Sequence, residues 1–316
     1  MSATTAETAP TAETAAAAAA AAGRAAGRAA GAAATTARRR RPPRLRTVVL
    51  AAVGWLVALT FLAPYLQMLL TALKPTPELM KSPPSYLPSR WEWSNFADVW
   101  SLKDPPVSDA LWFSLYVAGM STLLTLAVGL PAAYYTARNR FRGRGAFLLL
   151  VLVTQMFAPT ALLVGIYREM VSLDLTDTAE GLILVNAAFN LPFCIWILNA
   201  YFASIPKELE EAAYMDGAGR LGTLVRVTLP LALPGVVTAL VYTFIGAWNE
   251  YVVALTITSS GDRTTLTKAI PGFVTAYQEQ WQYLFATSLI AIVPVVVLFI
   301  FVERYLISGL TAGGIK

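Results

Sequence analysis

Six long apolar stretches alternate with polar segments along the chain, at residues 48–73, 110–136, 146–168, 181–203, 233–257 and 284–307. A helix that crosses the hydrocarbon core of a bilayer needs about 20 mostly apolar residues. Each stretch reaches that length, so the pattern predicts an all-α polytopic membrane protein with six transmembrane helices. A proline lies inside or opens every stretch, which predicts bent helices. These prolines are Pro64, Pro131, Pro159, Pro192, Pro234 and Pro294.

The distribution of basic residues predicts the orientation of these spans. An even number of spans places both termini on one side, and most of the 24 Lys and Arg residues lie on that side. Basic residues are retained in the cytoplasm, so both termini and the loop between the fourth and fifth spans are predicted to be cytoplasmic. On the other side, residues 74–109 predict an ordered interfacial cap and residues 258–283 a re-entrant or externally protruding loop.

The first 47 residues differ in composition from the predicted transmembrane domain at 48–316. They are rich in Ala and Arg, and residues 1–37 contain no Leu, Ile, Val or aromatic residue. Such a segment cannot bury a core, so we expect a disordered cytoplasmic tail rather than a signal peptide. The arginine cluster at 38–46 adjoins the first span, which favours binding to anionic lipid over binding to nucleic acid.

Composition limits the chemistry that the chain can perform. The sequence is 56% hydrophobic, only 14% charged and contains no histidine. Histidine acid–base catalysis and histidine-ligated metal sites are therefore excluded, and no metal site is predicted. The single cysteine, Cys194, lies in an apolar run and is expected to be a buried small hydrophobic residue. We expect a protein that is not an enzyme.

Five polar residues lie within or near the predicted spans: Gln155, Asn186, Asn190, Asn249 and Glu250. Polar groups at membrane depth are costly unless they bond to other helices or face a water-filled cavity. The amides are consistent with hydrogen bonds between helices, whereas Glu250 favours a translocation path or a gate. All five are candidate translocation-path residues. No second buried acid, lysine or histidine is available for a proton relay.

The loop between the fourth and fifth spans is too long to be a simple connector. Residues 204–232 predict two short helices, the first with Ser204 as its N-cap and the second ending at Leu229-Pro230. Gly217 follows the first helix, where a left-handed glycine commonly ends a helix. An amphipathic helical segment of this kind can dock in a groove of another protein.

The sequence of this loop resembles a known family. EAAYMDGAGRLGTLVRVTLP, residues 211–230, has the form E-A-A-x3-G-x9-V-x-L-P and resembles the EAA loop of ABC-importer permeases. LPSRWEWSNFADVW, AWNEYVVALT and the terminal GLTAGGIK resemble the carbohydrate-uptake branch, in particular the maltose-type G subunit. The implied ATPase-coupling residues are Glu211, Ala212, Ala213, Asp216, Gly217, Leu229 and Pro230.

The resemblance implies a permease subunit of an ATP-driven, binding-protein-dependent sugar importer in a bacterial cell membrane. Its partners would be a second, different permease, two ATP-binding subunits and an extracytoplasmic sugar-binding protein. The chain has no GxxxxGK[ST] phosphate loop, so it needs no cofactor of its own and ATP would bind to the partner subunits. Gly313, Gly314 and Lys316 would form a C-terminal contact with the ATPases.

Two other kinds of transporter remain open at this point. A permease for a non-sugar solute would share the coupling loop. A secondary transporter would need charge pairs within the membrane, and often internal repeats, which the sequence does not show. The sugar itself, maltose, maltodextrin, trehalose or another oligosaccharide, is not specified by these motifs.

Overall fold

The computed structural model describes residues 45–83, 85–102, 107–259, 263–275 and 279–312, with side chains for most of those between 46 and 303. These residues are helical almost throughout. The helices are α1 (Leu45–Ala72), α2 (Thr76–Leu79), α3 (Ser94–Ser101), α4 (Val107–Arg138), α5 (Arg144–Thr154), α6 (Pro159–Ser172), α7 (Ala179–Ser204), α8 (Glu208–Met215), α9 (Arg220–Leu231), α10 (Leu233–Trp248), α11 (Val252–Ile257), α12 (Leu266–Ala269) and α13 (Trp281–Ala312).

Four of these helices, α1, α4, α7 and α13, are long and apolar enough to cross a membrane. Two bent pairs reach the same length if each counts as one span: α5 with α6, at 96°, and α9 with α10, at 80°. The described part of the chain thus contains four to six candidate membrane helices. The prediction of an all-α polytopic fold is confirmed.

The third and fifth predicted spans are not continuous helices. The stretch 146–168 is divided, because α5 ends at Thr154 and Pro159 lies in the first turn of α6. Proline lacks the N–H that an interior helical position needs, but it fits the first turn. The stretch 233–257 is divided where α10 ends at Trp248 and α11 begins at Val252. The other four predicted spans differ from the observed helices mainly at their ends.

Proline positions agree with the expectation of bent or interrupted helices. Pro64, Pro131, Pro192 and Pro294 lie inside long helices. Pro159 and Pro234 lie in the first turns of α6 and α10.

The described residues belong to two units, one ending at Leu62 and one beginning at Ala63. The first contains the start of α1, with exposed apolar side chains such as Trp55 and Phe61. In the second, α4, α7 and α10 pack around a core that includes Leu198, Phe202 and Cys194. Cys194 is fully buried, as predicted, and a Cβ at Gly129 would lie 3.0 Å from its sulfur.

The predicted interfacial cap is held by buried polar groups. Glu78 accepts hydrogen bonds from the backbone N–H and the hydroxyl of Ser89. Asn95 Nδ2 donates to the carbonyl of Ala72 at 2.8 Å. Gln282 donates to Thr76 Oγ1 at 3.0 Å, which links this segment to α13. These contacts attach the described part of the segment to α1 and α13.

Residues 263–275 pack back onto the helices of the second unit. Leu266, Ala269 and Phe273 are buried in a core that also contains residues of α4 and α13. The backbone N–H of Leu266 donates to Ser114 Oγ at 2.7 Å. This part of the segment 258–283 therefore packs against the helix bundle instead of extending away from it.

Candidate functional site

The loop between α7 and α10 contains the predicted coupling motif, and its first helix ends at a left-handed glycine. Helix α8 is followed by Gly217, whose φ is +83°. The N–H of Gly217 donates to the carbonyl of Tyr214, and the N–H of Ala218 donates to that of Ala213, each at 3.0 Å. These two bonds form a Schellman motif, which satisfies the last carbonyls of a helix. The predicted conformation of Gly217 is confirmed.

The second helix of the loop, α9, contains a π-helical turn at Leu224–Thr228. The N–H of Leu229 reaches back to the carbonyl of Leu224. Pro230 follows directly, and proline cannot donate the bond that a regular helix requires. The wider turn lets the chain pass Pro230, and α9 ends at Leu231 instead of stopping at Leu229-Pro230 as predicted.

The N-cap prediction for the first loop helix was wrong. Ser204 is the last residue of α7, and its hydroxyl donates to the carbonyl of Tyr201. Lys207 occupies the N-cap position of α8 without a side-chain cap. Pro206 separates the two helices, since a residue before proline is pushed out of the helical conformation.

The side chain of Glu210 fixes the first turn of α8 to the end of α4. Its Oε1 lies 2.8 Å from Arg138 Nε and accepts a 2.8 Å hydrogen bond from Thr228 Oγ1. Its Oε2 accepts a 3.2 Å hydrogen bond from the Tyr134 hydroxyl. The Glu210 and Arg138 side chains are only 7% and 8% exposed. One buried carboxylate therefore joins α4, α8 and α9.

Arg138 extends this connection to the end of α7. Its Nη1 donates to the carbonyl of Ile205 at 3.0 Å. Its Nη2 is buried and has no hydrogen-bond partner among the described residues. Since the three nitrogens of the guanidinium lie in one rigid plane, the groups bonded to Nε and Nη1 determine the direction of Nη2.

The motif residues occupy different environments. Glu211, Ala212, Asp216, Gly217 and Pro230 are exposed, and Leu229 is partly exposed. Ala213 is buried, so its methyl group faces this chain's own helices. Most motif residues thus lie on the exposed face of the loop, whereas Ala213 packs against the rest of the chain.

Large apolar side chains project from the outward side of this loop. Met215 is 88% exposed and Leu221 is 74% exposed, with Leu209 and Tyr214 also exposed. A groove of about 600 Å³ lies beside them, between the end of α4 and the loop, and its lining includes Tyr134, Tyr214 and Arg220. Exposed apolar groups beside a polar groove are typical of a protein-binding surface.

The five polar residues of the predicted spans do not form a single site, although Asn186 and Glu250 line the same small cavity between α4, α7 and the end of α10. Asn186 and Asn190 are buried on α7 and donate to the carbonyls of Leu182 and Asn186, within their own helix. Gln155 lies at the end of α5 and donates to the carbonyl of Phe189 at 2.9 Å. Of the three amides, Gln155 makes the predicted bond between helices, three residues before Pro192 of α7.

The remaining two candidates, Asn249 and Glu250, lie in the break between α10 and α11. Asn249 is exposed and lines an open groove of about 400 Å³ with Thr238 and Tyr242. Glu250 accepts hydrogen bonds from the N–H groups of Val253 and Ala254 at 2.8 and 3.0 Å. Its carboxylate therefore caps α11, a role that sequence reasoning did not propose for it.

The C-terminal candidates Gly313, Gly314 and Lys316 lie outside the described residues, as do residues 1–44. Within the described part, no group of three or more His, Cys, Asp or Glu side chains could hold a metal ion.

Sequence reasoning placed Glu210 near the start of the loop helix but did not pair it with Arg138. The two residues are 72 positions apart in the sequence, so no local pattern connects them. The sequence did show that Arg138 closes an apolar span and that Glu210 directly precedes the motif.

Comparison with known proteins places these features in a family. Residues 129–310, which include the coupling loop, match the family described as binding-protein-dependent transport system inner membrane component. The chain is 35% identical over 255 residues to the sulfoquinovosyl glycerol transport system permease protein SmoH of Agrobacterium fabrum, covering 81% of this chain and 89% of the relative. It is 32% identical over 275 residues to the trehalose/maltose transport system permease protein MalG of Thermococcus litoralis, covering 86% and 98%.

Comparison with solved structures identifies a similar fold. A chain of a bacterial ABC transporter involved in the import of the acidic polysaccharide alginate aligns with a TM-score of 0.71 at 24% identity, covering 85% of this chain and 99% of that chain. The predicted resemblance to importer permeases is confirmed. The chain belongs to the family of binding-protein-dependent transport system inner membrane components, which are permease subunits of ABC transporters.

Proposed function

We propose that this chain is one permease subunit of an ATP-driven sugar importer. Family membership supports the transport role, and the relatives named for trehalose/maltose and for sulfoquinovosyl glycerol support a glycoside substrate. The substrate class that fits is a disaccharide, an oligosaccharide or a related glycoside.

The observation that carries this proposal is the anchoring of the coupling loop through Glu210. A buried ion pair and two further hydrogen bonds fix the inner side of the loop to α4 and α9. The outer side exposes Met215 and Leu221. An ATPase subunit that docks on this outer side can push a loop that is rigidly joined to a membrane helix.

Transport would then result when a movement of the coupling loop is transmitted to the broken membrane helices. Closure of the ATPase subunits moves α8, and the Glu210–Arg138 pair transmits that movement to α4. The bends at residues 155–158 and at Ala232 divide two candidate spans into shorter pieces that can tilt separately. Alternating access requires repacking of this kind between inward-facing and outward-facing states.

The groove that contains Asn249 is our candidate for this subunit's share of the sugar path. Tyr242 offers an aromatic face, and Thr238 and Asn249 offer a hydroxyl and an amide. Sugars present apolar ring faces and many hydroxyl groups, which these side chains complement. Behind this surface, Gln155 connects two helices, and Asn186 and Asn190 bond within α7. Glu250 supports the surface by capping α11.

The assembly would contain a second, different permease, two ATP-binding subunits and an extracytoplasmic sugar-binding protein. ATP would bind to the partner subunits, and this chain would perform no catalysis and require no cofactor. Both termini would lie in the cytoplasm, where Gly313, Gly314 and Lys316 would contact the ATPases. Residues 263–275 would lie on the external side, near the binding protein.

The substrate is tested by a thermal-shift screen on the sugar-binding protein encoded beside this chain. Maltose, maltotriose, trehalose and a panel of amino acids would be compared at equal concentrations. Stabilisation by at least one sugar, with no response to amino acids, is the expected result. A binding protein stabilised only by amino acids would overturn the sugar assignment while leaving the permease assignment intact.

A further inference from the structure

A basic groove of about 420 Å³ lies where three helices end or begin. Its lining includes Arg138 at the end of α4, Arg140 in the following turn, Arg144 at the start of α5 and Lys207 just after α7. The acidic side chain among the lining residues is Glu208. The groove therefore concentrates positive charge at one end of the helix bundle.

Most of this charge is not neutralised by the protein. Arg138 is paired with Glu210, whereas Arg140, Arg144 and Lys207 have no ion-pair partner in the part of the chain that the structure describes. Arg138 itself retains a buried Nη2 without a hydrogen-bond acceptor. Like charges close together repel one another, and a buried donor without a partner is costly. The repulsion falls if an anion with several oxygens occupies the groove.

The groove lies at the ends of membrane helices, where the nearest anions are lipid headgroups. Arg138 closes one apolar membrane helix, Ser204 closes another, and Arg144 opens the apolar helix α5. The ends of membrane helices lie at the depth of the lipid headgroups. Further along α5, Leu149 and Leu150 are exposed apolar side chains, at the depth of acyl chains. Basic pockets between membrane helices are known to bind anionic headgroups.

We propose that this groove binds the phosphate group of an anionic membrane lipid, with Arg140, Arg144 and Lys207 as its main contacts. Guanidinium groups suit phosphate because they donate two parallel hydrogen bonds to its oxygens. The bound headgroup would lie beside Arg138 and so beside the connection to the coupling loop. The site depends on the helices being membrane spans and is independent of the sugar assignment.

Lipid binding can be measured on the full-length chain, purified in detergent with its co-purifying subunits. Native mass spectrometry would count bound phosphatidylglycerol during a titration, with phosphatidylcholine as the zwitterionic comparison. The test variant is Arg144→Gln. The control is Arg142→Gln, which removes the same charge from the same turn but does not line the groove. The exposed Arg140 supplies a second test variant, Arg140→Gln, in case Arg144→Gln fails to fold.

We expect wild type to retain phosphatidylglycerol in preference to phosphatidylcholine. Loss of one direct charged contact to the phosphate should weaken binding about tenfold, so Arg144→Gln should lose about that much, whereas Arg142→Gln, outside the groove, should stay within about twofold of wild type. Equal weakening in both variants, or no preference for phosphatidylglycerol, would overturn the proposal. Displacement of the lipid by millimolar inorganic phosphate would show instead that the groove takes a free anion.

Discussion

Arg138 Nε and Glu210 Oε1 lie 2.8 Å apart, although the two residues are 72 positions from each other in the sequence. Arg138 is the last residue of a membrane helix, and Glu210 lies in the first turn of the loop helix that precedes Gly217. Both side chains are buried. Besides the covalent connections to α7 and α10, their contact joins the coupling loop to a third helix, α4.

Removing the carboxylate of Glu210 should destabilise the protein and loosen this connection. Breaking one partner of a buried ion pair typically costs about 3–5 kcal/mol, because the other charge remains buried. We therefore expect Glu210→Ala to lower the thermal unfolding temperature of the purified transporter and to reduce sugar uptake per ATP hydrolysed.

Glu208→Ala is the matched control, since Glu208 is an exposed acid in the same turn. It should leave the unfolding temperature little changed, so that the loss of stability in Glu210→Ala can be assigned to the buried contact. Equal effects of the two substitutions would show that the charge of α8, and not the contact with Arg138, is responsible.

Substitution of Gly217 should act through the backbone and not through crowding. A Cβ at Gly217 would meet nothing within 4 Å, but its φ of +83° is strained for any other residue. We expect Gly217→Ala to cost about 1–2 kcal/mol, and a bulky Gly217→Leu also to uncouple ATP hydrolysis from uptake by obstructing the docking surface. ATP hydrolysed per sugar transported is the measurement.

Gly219→Ala is the control for this position, because Gly219 has an ordinary φ of −74° and open space around its Cβ. It should couple ATP hydrolysis to uptake as wild type does, with a stability loss below about 1 kcal/mol because Gly219 is the N-cap of α9. Normal coupling in Gly217→Leu would remove Gly217 from the docking surface.

The sequence predicted the membrane helices well where they are continuous and poorly where they are broken. Apolar length alone identifies a span, but it does not reveal that α5 ends at Thr154 before Pro159, or that α10 ends at Trp248. Local helix signals were also informative, since the left-handed Gly217 was predicted correctly. The Arg138–Glu210 pair could not be predicted, because it depends on how α4 and α7 pack.

The capping role of Glu250 predicts a loss of stability without a change in sugar affinity. Glu250→Ala removes the acceptor of two backbone N–H groups at the start of α11. Loss of a helix cap costs about 0.5–2 kcal/mol, so the unfolding temperature should fall, with Glu250→Gln intermediate. The KM for uptake should stay within about twofold of wild type. A large rise in KM at unchanged stability would contradict the capping role and show that Glu250 belongs to the translocation path.

Asn249 should show the opposite behaviour. Its side chain is exposed in the groove with Tyr242 and makes no hydrogen bond within the described part of the chain. Asn249→Ala should therefore leave the unfolding temperature unchanged. It should raise the KM for uptake, by up to about tenfold if one sugar hydrogen bond worth ~1 kcal/mol or slightly more is lost. An unchanged KM would exclude Asn249 from the path.

The central claim is that an ATPase subunit docks on the exposed side of residues 208–230, and Met215→Asp tests it most directly. Met215 is 88% exposed, so the substitution should not affect folding. The control is Tyr86→Asp, the same kind of change at a 79% exposed residue of the predicted external cap. Loss of a central apolar contact costs an interface about 2 kcal/mol or more, which weakens binding roughly 30-fold. We predict that Met215→Asp loses co-purifying ATPase subunits and ATP-driven uptake into proteoliposomes, whereas Tyr86→Asp retains both. Retention of both by Met215→Asp would contradict the account.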